Sequence, residues 1–231
     1  MSVENLVKVG PLDVNPGLKE SVYQAIKDAI SHMEIYSGDE PPKLDERKLA
    51  TDLGVSRTPI REAITRLEQE GLVKTFPRRG AYVVRKSKEE ILEIVYVWAG
   101  LEGMAARLAT ENATDAEIAS MLRMFATFDG SHEPRAHIDE YSTTNISFHQ
   151  RLIELSKCKL LKEIADRLFI HMRAIRRKTI GERDRATESI IDHMRIIRAL
   201  EARDATMAEQ LVREHAMHLA NHIKQYVDYL D

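Results

Sequence analysis

Over residues 18–35, apolar side chains recur at helical spacing, at Val22, Ile26, Ala29, Ile30 and Met33, and predict a first helix. Ser37, Gly38, Asp39, Glu40, Pro41 and Pro42 end it, because adjacent prolines lack amide donors and fix an extended course. A second helix is expected over 45–53, Gly54 supplies the corner before Val55, and a third helix begins near Ser56. Ser56 is placed as its N-cap and Pro59 fits the first turn. Ile60, Ala63, Ile64 and Leu67 then face inward, leaving Arg57, Thr58, Arg61 and Arg66 outward. Segments 72–76 and 81–84 are β-branched and aromatic and flank Pro77, Arg78, Arg79 and Gly80, the pattern of a two-stranded wing. Ser87 followed by Glu90 predicts a capping box, and Thr114 followed by Glu117 repeats it. Beyond residue 87 the period is helical, over 88–111, 114–128, 135–156, 158–180, 185–202 and 204–229, with Asp129, Gly130, Ser131 and Pro134 as the clearest loop.

This order predicts a mainly α chain. An N-terminal arm over 1–17 precedes a winged helix-turn-helix with a small β-hairpin over 18–86, and an all-α antiparallel helical bundle over 87–231 follows. A chain of 231 residues, 43% hydrophobic, is long enough for two cores. The net charge of -3 argues against a uniformly basic nucleic-acid coat, but residues 43–85 hold ten Lys and Arg against six acids. From residue 86 onward the balance reverses, to 21 basic and 24 acidic residues. Cys158 is the only cysteine, which excludes an internal disulfide and suits a reducing compartment; it reads as a packing residue. No signal-like stretch and no apolar run of about 20 residues occurs, so a soluble, cytoplasmic chain without membrane contact is expected.

Residues 43–84 have the order helix, tight turn, helix, hairpin, with basic residues gathered on the second helix and the hairpin tip. A recognition helix enters the major groove only if its outward side is polar and slender, and Ser56, Arg57, Thr58 and Arg61 meet that condition. Arg47 can hold a phosphate or the groove edge, and Arg79 and Gly80 can approach the backbone or minor groove. The rival reading is a solvated charged face in which Glu62, Glu68 and Glu70 neutralise the arginines. A serine cap, a glycine corner, outward arginines and a glycine-tipped hairpin in the required order argue against it. Glu62 either orients Arg61 or keeps the surface soluble.

Three segments carry a specific resemblance: Leu44-Asp45-Glu46-Arg47-Lys48-Leu49-Ala50, Leu53-Gly54-Val55-Ser56-Arg57-Thr58-Pro59-Ile60-Arg61-Glu62-Ala63 and Leu67-Glu68-Gln69-Glu70-Gly71-Leu72-Val73. With Arg79-Gly80-Ala81-Tyr82-Val83-Val84, they resemble the DNA-binding domain of GntR-family regulators. The resemblance implies DNA contacts at Arg47, Ser56, Arg57, Thr58, Arg61, Arg79 and Gly80. Pro41-Pro42 departs from the Pro-Gly common in that family's preceding loop.

In the bundle, Asn145 and His149 are spaced i, i+4 on one helix, while His193 and His215 come from two later helices. Three imidazoles and one oxygen donor can enclose a divalent metal and leave positions for water or a carboxylate. Leu101-Glu102-Gly103-Met104-Ala105-Ala106-Arg107-Leu108-Ala109, Asn145-Ile146-Ser147-Phe148-His149 and the stretch from His193 through Ala202-Arg203-Asp204 to His215 resemble the FadR-type FCD domain. In its metal-containing members an aspartate and three histidines are ligands. Those positions map to Asn145, His149, His193 and His215, and zinc or nickel is the metal implied. An amide in place of the carboxylate lowers affinity for the dication and favours an anionic effector.

Trp98, which stands where many relatives have Arg, together with Arg173, Arg176 and His218, is a candidate to contact that effector; the alternatives are a core anchor for Trp98, an interhelical ion pair for the arginines and a surface or packing role for His218. His222 shares a helical face with His215 and His218. His32, His132, His137 and His171 read as packing or surface residues, and Met104, Met121, Met124, Met172 and Met194 as core filling. The resemblance implies a homodimer and favours repression released by a metabolite, for which the site favours a small carboxylate, with activation or dual control as the alternative; two-fold symmetry predicts a pseudo-palindromic double-stranded operator. Two rivals fare worse. A hydrolase built on His149, His193 and His215 lacks a base, a nucleophile and an oxyanion arrangement, and an architectural DNA-binding protein leaves the histidine-containing bundle unexplained.

Overall fold

The computed structural model describes residues 16–128 and 133–230. The chain divides into two compact units, one holding residues 16–29 and 43–83, the other 30–42 and 84–230. The described residues form nine helices and three strands. Helix α1 (Pro16–His32) already begins within the expected arm, since proline suits the first helical position; residues 1–15 of that arm lie outside the described part.

In the first unit, α2 (Glu46–Asp52) starts where the Asp45 side chain accepts from the Arg47 and Lys48 amides at 2.8 and 3.1 Å. Gly54 turns the chain at φ +64°, and the Val55 amide donates back to the Ala50 carbonyl at 3.0 Å. Helix α3 (Arg57–Gln69) buries Ile60, Ala63, Ile64 and Leu67, as its period requires. Ser56 occupies the N-cap position but makes no side-chain cap bond, contrary to the capping role expected of it; its hydroxyl is exposed.

The wing is a three-stranded antiparallel sheet rather than a bare hairpin. Strands β2 (Val73–Phe76) and β3 (Gly80–Val83) pair as expected, and β1 (Lys43–Leu44) adds to the other edge of β3 with Lys43 opposite Tyr82. A two-residue strand is too short to leave a period in the sequence. Gly80 has φ +100°, and a Cβ there would stand 3.3 Å from the Lys43 side chain, so the wing tip requires glycine.

The second unit is the helical bundle. Helix α4 (Lys88–Asn112) opens with the Ser87–Glu90 capping box and packs along α9 (Ala205–Tyr226), with α6 (Ile138–Leu155) and α7 (Lys159–Thr179) on its other sides. Helix α8 (Arg185–Glu201) packs on α9 and on α5 (Asp115–Arg123), which has the second capping box. The core gathers Phe125, Phe148, Leu152, Ile196, Ile197 and Leu200 around fully buried Met121. Met172 is also fully buried, and Met124 and Met194 pack at the core's margin. Met104 is a correction: α4 turns Trp98, Glu102, Ala105 and Ala109 inward, which leaves Met104 exposed with Tyr96 and Val97. The expected loop residues 129–132 lie outside the described part, His132 among them. Among the described residues no helix is long and apolar enough to cross a membrane.

The segment after α1 is held within this second unit. Arg85 donates to the carbonyls of Ile35, Ser37, Gly38 and Glu40 at 2.5–2.9 Å. The Tyr36 hydroxyl meets Nδ1 of His171 on α7 at 2.9 Å, and both residues are buried. Burial, helped by the Lys86 charge, pushes the His171 pKa from 6.5 down to about 4. The folded state therefore keeps this ring neutral at pH values where the unfolded chain protonates it. The stability it confers is complete above pH 6.5 and is lost as the pH falls toward 4. Urea denaturation between pH 6 and about 4 is expected to lose about 1.4 kcal/mol per pH unit through this one group, and His171→Gln to remove that share of the slope.

Candidate nucleic-acid interface and metal centre

Arg47, Arg57, Arg61, Arg79 and Gly80 border one concavity of about 660 Å³ between α2, α3 and the wing. Ser56 and Thr58 are exposed at the start of α3, so all seven residues expected on this surface are accessible. Glu46 lies among them. Its Oε2 accepts from Arg61 Nε at 2.8 Å and stands 3.6 Å from Arg57 Nη2. Glu62, one of whose two expected roles was to orient Arg61, pairs instead with Lys19 at 3.0 Å. Arg66 turns to Glu20 at 2.6 Å and stacks over Tyr23, which gives it a structural place on α1.

In the bundle, His149 on α6, His193 on α8 and His215 on α9 converge, with one ring nitrogen from each lying within 4.8 Å of the others, and all three are buried. One nitrogen of each ring is occupied. His149 Nδ1 donates to Glu102 Oε1 at 2.5 Å, His193 Nδ1 meets the Tyr141 hydroxyl at 3.3 Å, and His215 Nδ1 meets Asp192 Oδ2 at 3.1 Å. The Nε2 atoms of His149 and His193 are buried without a hydrogen-bond partner. Burial holds both imidazoles well below their usual pKa, and His215 is lowered by the same cause against the opposing pull of Asp192. Buried, neutral rings each engaged through Nδ1, with one nitrogen of each within 4.8 Å of the others, are a donor set a divalent transition metal takes. Asn145 is buried one turn before His149, and Ser189 donates to its Oδ1 at 3.5 Å.

Glu102 is completely buried and carries this arrangement. Besides His149, its carboxylate accepts from Trp98 Nε1 at 2.7 Å and from Arg176 Nη2 at 3.3 Å. Burial pushes its pKa up, opposed by Arg176, His215 and the Trp98 bond. Of the expected effector residues, Trp98 and Arg176 therefore reach the cluster, with the Arg176 guanidinium 5.2 Å from the Trp98 ring centroid, and Arg176 forms the ion pair weighed as its alternative. Arg173 does not join them: its Nε is buried without a partner, and no described bond links it to the histidines. His218 lies outside, exposed, with Nδ1 on the same Asp192 oxygen as His215 at 2.9 Å. His222 turns away to Glu182 at 2.6 Å.

Four residues of the site were missed from sequence: Glu102, Tyr141, Asp192 and Arg185. A charged side chain on the apolar face of α4, four residues from Trp98, was the available sign for Glu102. Asp192 adjoins His193 and gave no signal apart from a solvated face. Arg185 opens α8 and is 8% exposed, and its Nε is buried without a partner.

Comparison with known proteins gives two domain matches, "Bacterial regulatory proteins, gntR family" over residues 18–83 and "FCD domain" over residues 93–218. The HTH-type transcriptional repressor RspR of Escherichia coli is 23% identical over 90% of both chains. A probable D-xylose utilization operon transcriptional repressor of Paenarthrobacter nicotinovorans is 28% identical over 85% of this chain and 86% of its own. Among solved structures, E. coli McbR/YncC superposes with a TM-score of 0.74 at 23% identity, covering 90% of this chain and 97% of that one, which supports the fold. With a gntR-type winged helix ahead of an FCD domain that spans more than half its length, the chain belongs to the GntR family of transcriptional regulators.

Proposed function

We propose that this regulator is a cytoplasmic, homodimeric repressor that reads a pseudo-palindromic operator through α3 and the wing and releases it when a small carboxylate reaches a metal held in the helical bundle. The observation that carries the sensing half is the pair of buried, unpartnered Nε2 atoms of His149 and His193 beside His215. The repressors RspR and the D-xylose operon protein support the sign of control. Exposed Tyr96, Val97 and Met104 on α4 offer apolar surface for a second copy.

On the DNA side, Arg57 and Arg61 read base edges, Ser56 and Thr58 contact bases or phosphates at the start of α3, and Arg47, Arg79 and Gly80 fix the register on the backbone. In the bundle, Glu102 holds the Nδ1 proton on His149, Asp192 orients His215 and Tyr141 orients His193, while Asn145 adds an oxygen donor without charge. A bound zinc or nickel ion would supply a Lewis-acidic centre for the effector carboxylate. Trp98 and Arg176 shape and charge the wall beside it. An effector that binds one dimer arrangement better than the other shifts the spacing of the paired heads.

Operator selection with purified protein should return a two-fold symmetric site. Arg61→Ala is expected to weaken that site about tenfold or more while leaving random DNA nearly unchanged; equal loss on both would remove Arg61 from base reading. In metal analysis, His193→Ala should abolish bound metal and the thermal shift given by small carboxylates. If both survive the substitution, the sensor reading fails. Glu102→Gln, which keeps the shape but loses the charge on His149, is expected to weaken metal binding about 10–100-fold, read by competition with a chelator.

A further inference from the structure

Beside the histidine cluster, α8 and α9 border an open cleft of about 470 Å³ lined by Arg185, Glu188, Asp192, His218, Asn221 and His222. Its volume falls in the range that holds a small organic molecule. Asp192 forms part of the wall shared with the cluster, since it bonds His215. Arg185 is near enough to help keep His149 neutral and to bear on Tyr141, whose hydroxyl reaches His193.

Arg185 is badly placed for a cation. It is more than nine-tenths buried at the first position of a 17-residue helix, where the macrodipole is positive, and the N-cap Asp184 makes no side-chain cap bond. A second buried guanidinium, Arg176, lies close enough to help burial push the Arg185 pKa down to about 10. Nearby carboxylates are committed elsewhere: Glu102 to Arg176, Trp98 and His149, Asp192 to His215 and His218, and Glu182 to His222 and Tyr229. Among the described residues none forms an ion pair with Arg185, and Glu188 acts on it only at longer range. A guanidinium stays protonated at neutral pH, so a buried one without a partner calls for an anion.

We infer that Arg185 and the cleft it borders form a second anion subsite, so that the effector is a small dicarboxylate with one carboxylate directed to the histidine cluster and the other to Arg185. The inference rests on the reading of that cluster as a carboxylate sensor. The side-chain amide of Asn221, which borders the same cleft, is a further donor for the second carboxylate.

The test is isothermal titration of the zinc-loaded full-length chain with succinate and glutarate, with butyrate as the single-acid probe. The parent is expected to bind a diacid at least about tenfold tighter than butyrate, and Arg185→Gln to erase that margin while leaving butyrate within about twofold. Equal affinity for one and two carboxylates in the parent, or equal losses for both in Arg185→Gln, overturns the inference. If butyrate binds and His193→Ala abolishes it while no diacid preference exists, the subsite falls and the sensor reading stands. Diacid binding that survives His193→Ala but not Arg185→Gln supports the subsite and removes the cluster from the site. No binding of any probe overturns both. Thermal melting of the EDTA-treated, ligand-free protein gives a separate readout. Arg185→Gln should melt no lower than the parent, because it removes an unpaired buried charge, and a drop of several degrees or failure to fold would show that Arg185 already has a partner.

Discussion

A single carboxylate at the centre of the bundle governs what the surrounding helices can do. Glu102 has left water entirely, a loss that is tolerable only if its oxygens are donated to from every side. The donors come from three elements: Trp98 on its own helix, His149 on α6 and Arg176 on α7. The bundle therefore cannot slide α6 or α7 against α4 without orphaning a buried charge. Truncating one partner of such a group is far more damaging than losing an exposed pair, since the charge left behind stays buried. Glu102 also fixes the tautomer of His149 and so decides which nitrogen faces His193 and His215.

That arrangement changes the meaning of the amide at Asn145. In the proposed centre an aspartate at this position would bring its negative charge directly to the ion, whereas Asn145 brings only a carbonyl dipole. The charge is instead one imidazole away, on Glu102 behind His149, and on Asp192 behind His215. Charge delivered through a hydrogen-bonded ring strengthens the ring as a donor but neutralises the ion less than a direct ligand does. The site is left short of negative charge, and Arg176 consumes part of what Glu102 supplies. In the proposed sensor, an anionic effector is the remaining source.

The helices, their capping boxes and the glycine corner of the winged unit were legible because each rests on residues close in sequence: Ser87 with Glu90, Thr114 with Glu117, Gly54 after Leu53. The convergence of His149, His193 and His215 was legible from residue type and helical face. What could not be read depends on which partner a side chain chooses across space. Arg176 and Arg173 look alike in sequence, yet one is neutralised by a carboxylate 74 residues away and the other has no such partner among the described residues. Glu62 adjoins Arg61 in sequence, yet it pairs with Lys19, and Arg61 is taken by Glu46 at the start of α2. Met104 fits a core position by composition and is exposed because the inward face of α4 is already filled by Trp98, Glu102 and Ala105.

The two halves of the molecule use charge in opposite ways. Glu102 is dry, fixed by three donors and costly to disturb. Glu46, at the start of α2, meets Arg61 and Arg57 while all three remain open to water. Exposed pairs of that kind contribute little stability and are screened by salt, so exchanging Glu46 for a phosphate or a base edge costs little. Before DNA arrives, the pair nonetheless narrows the range of the two long side chains and points them into the concavity between α3 and the wing. On the proposed reading of Arg57 and Arg61 as DNA contacts, part of the side-chain ordering that binding demands is then already present in the free protein. A surface built this way can form and leave contacts quickly, whereas the buried centre of the bundle admits only groups able to satisfy its charge.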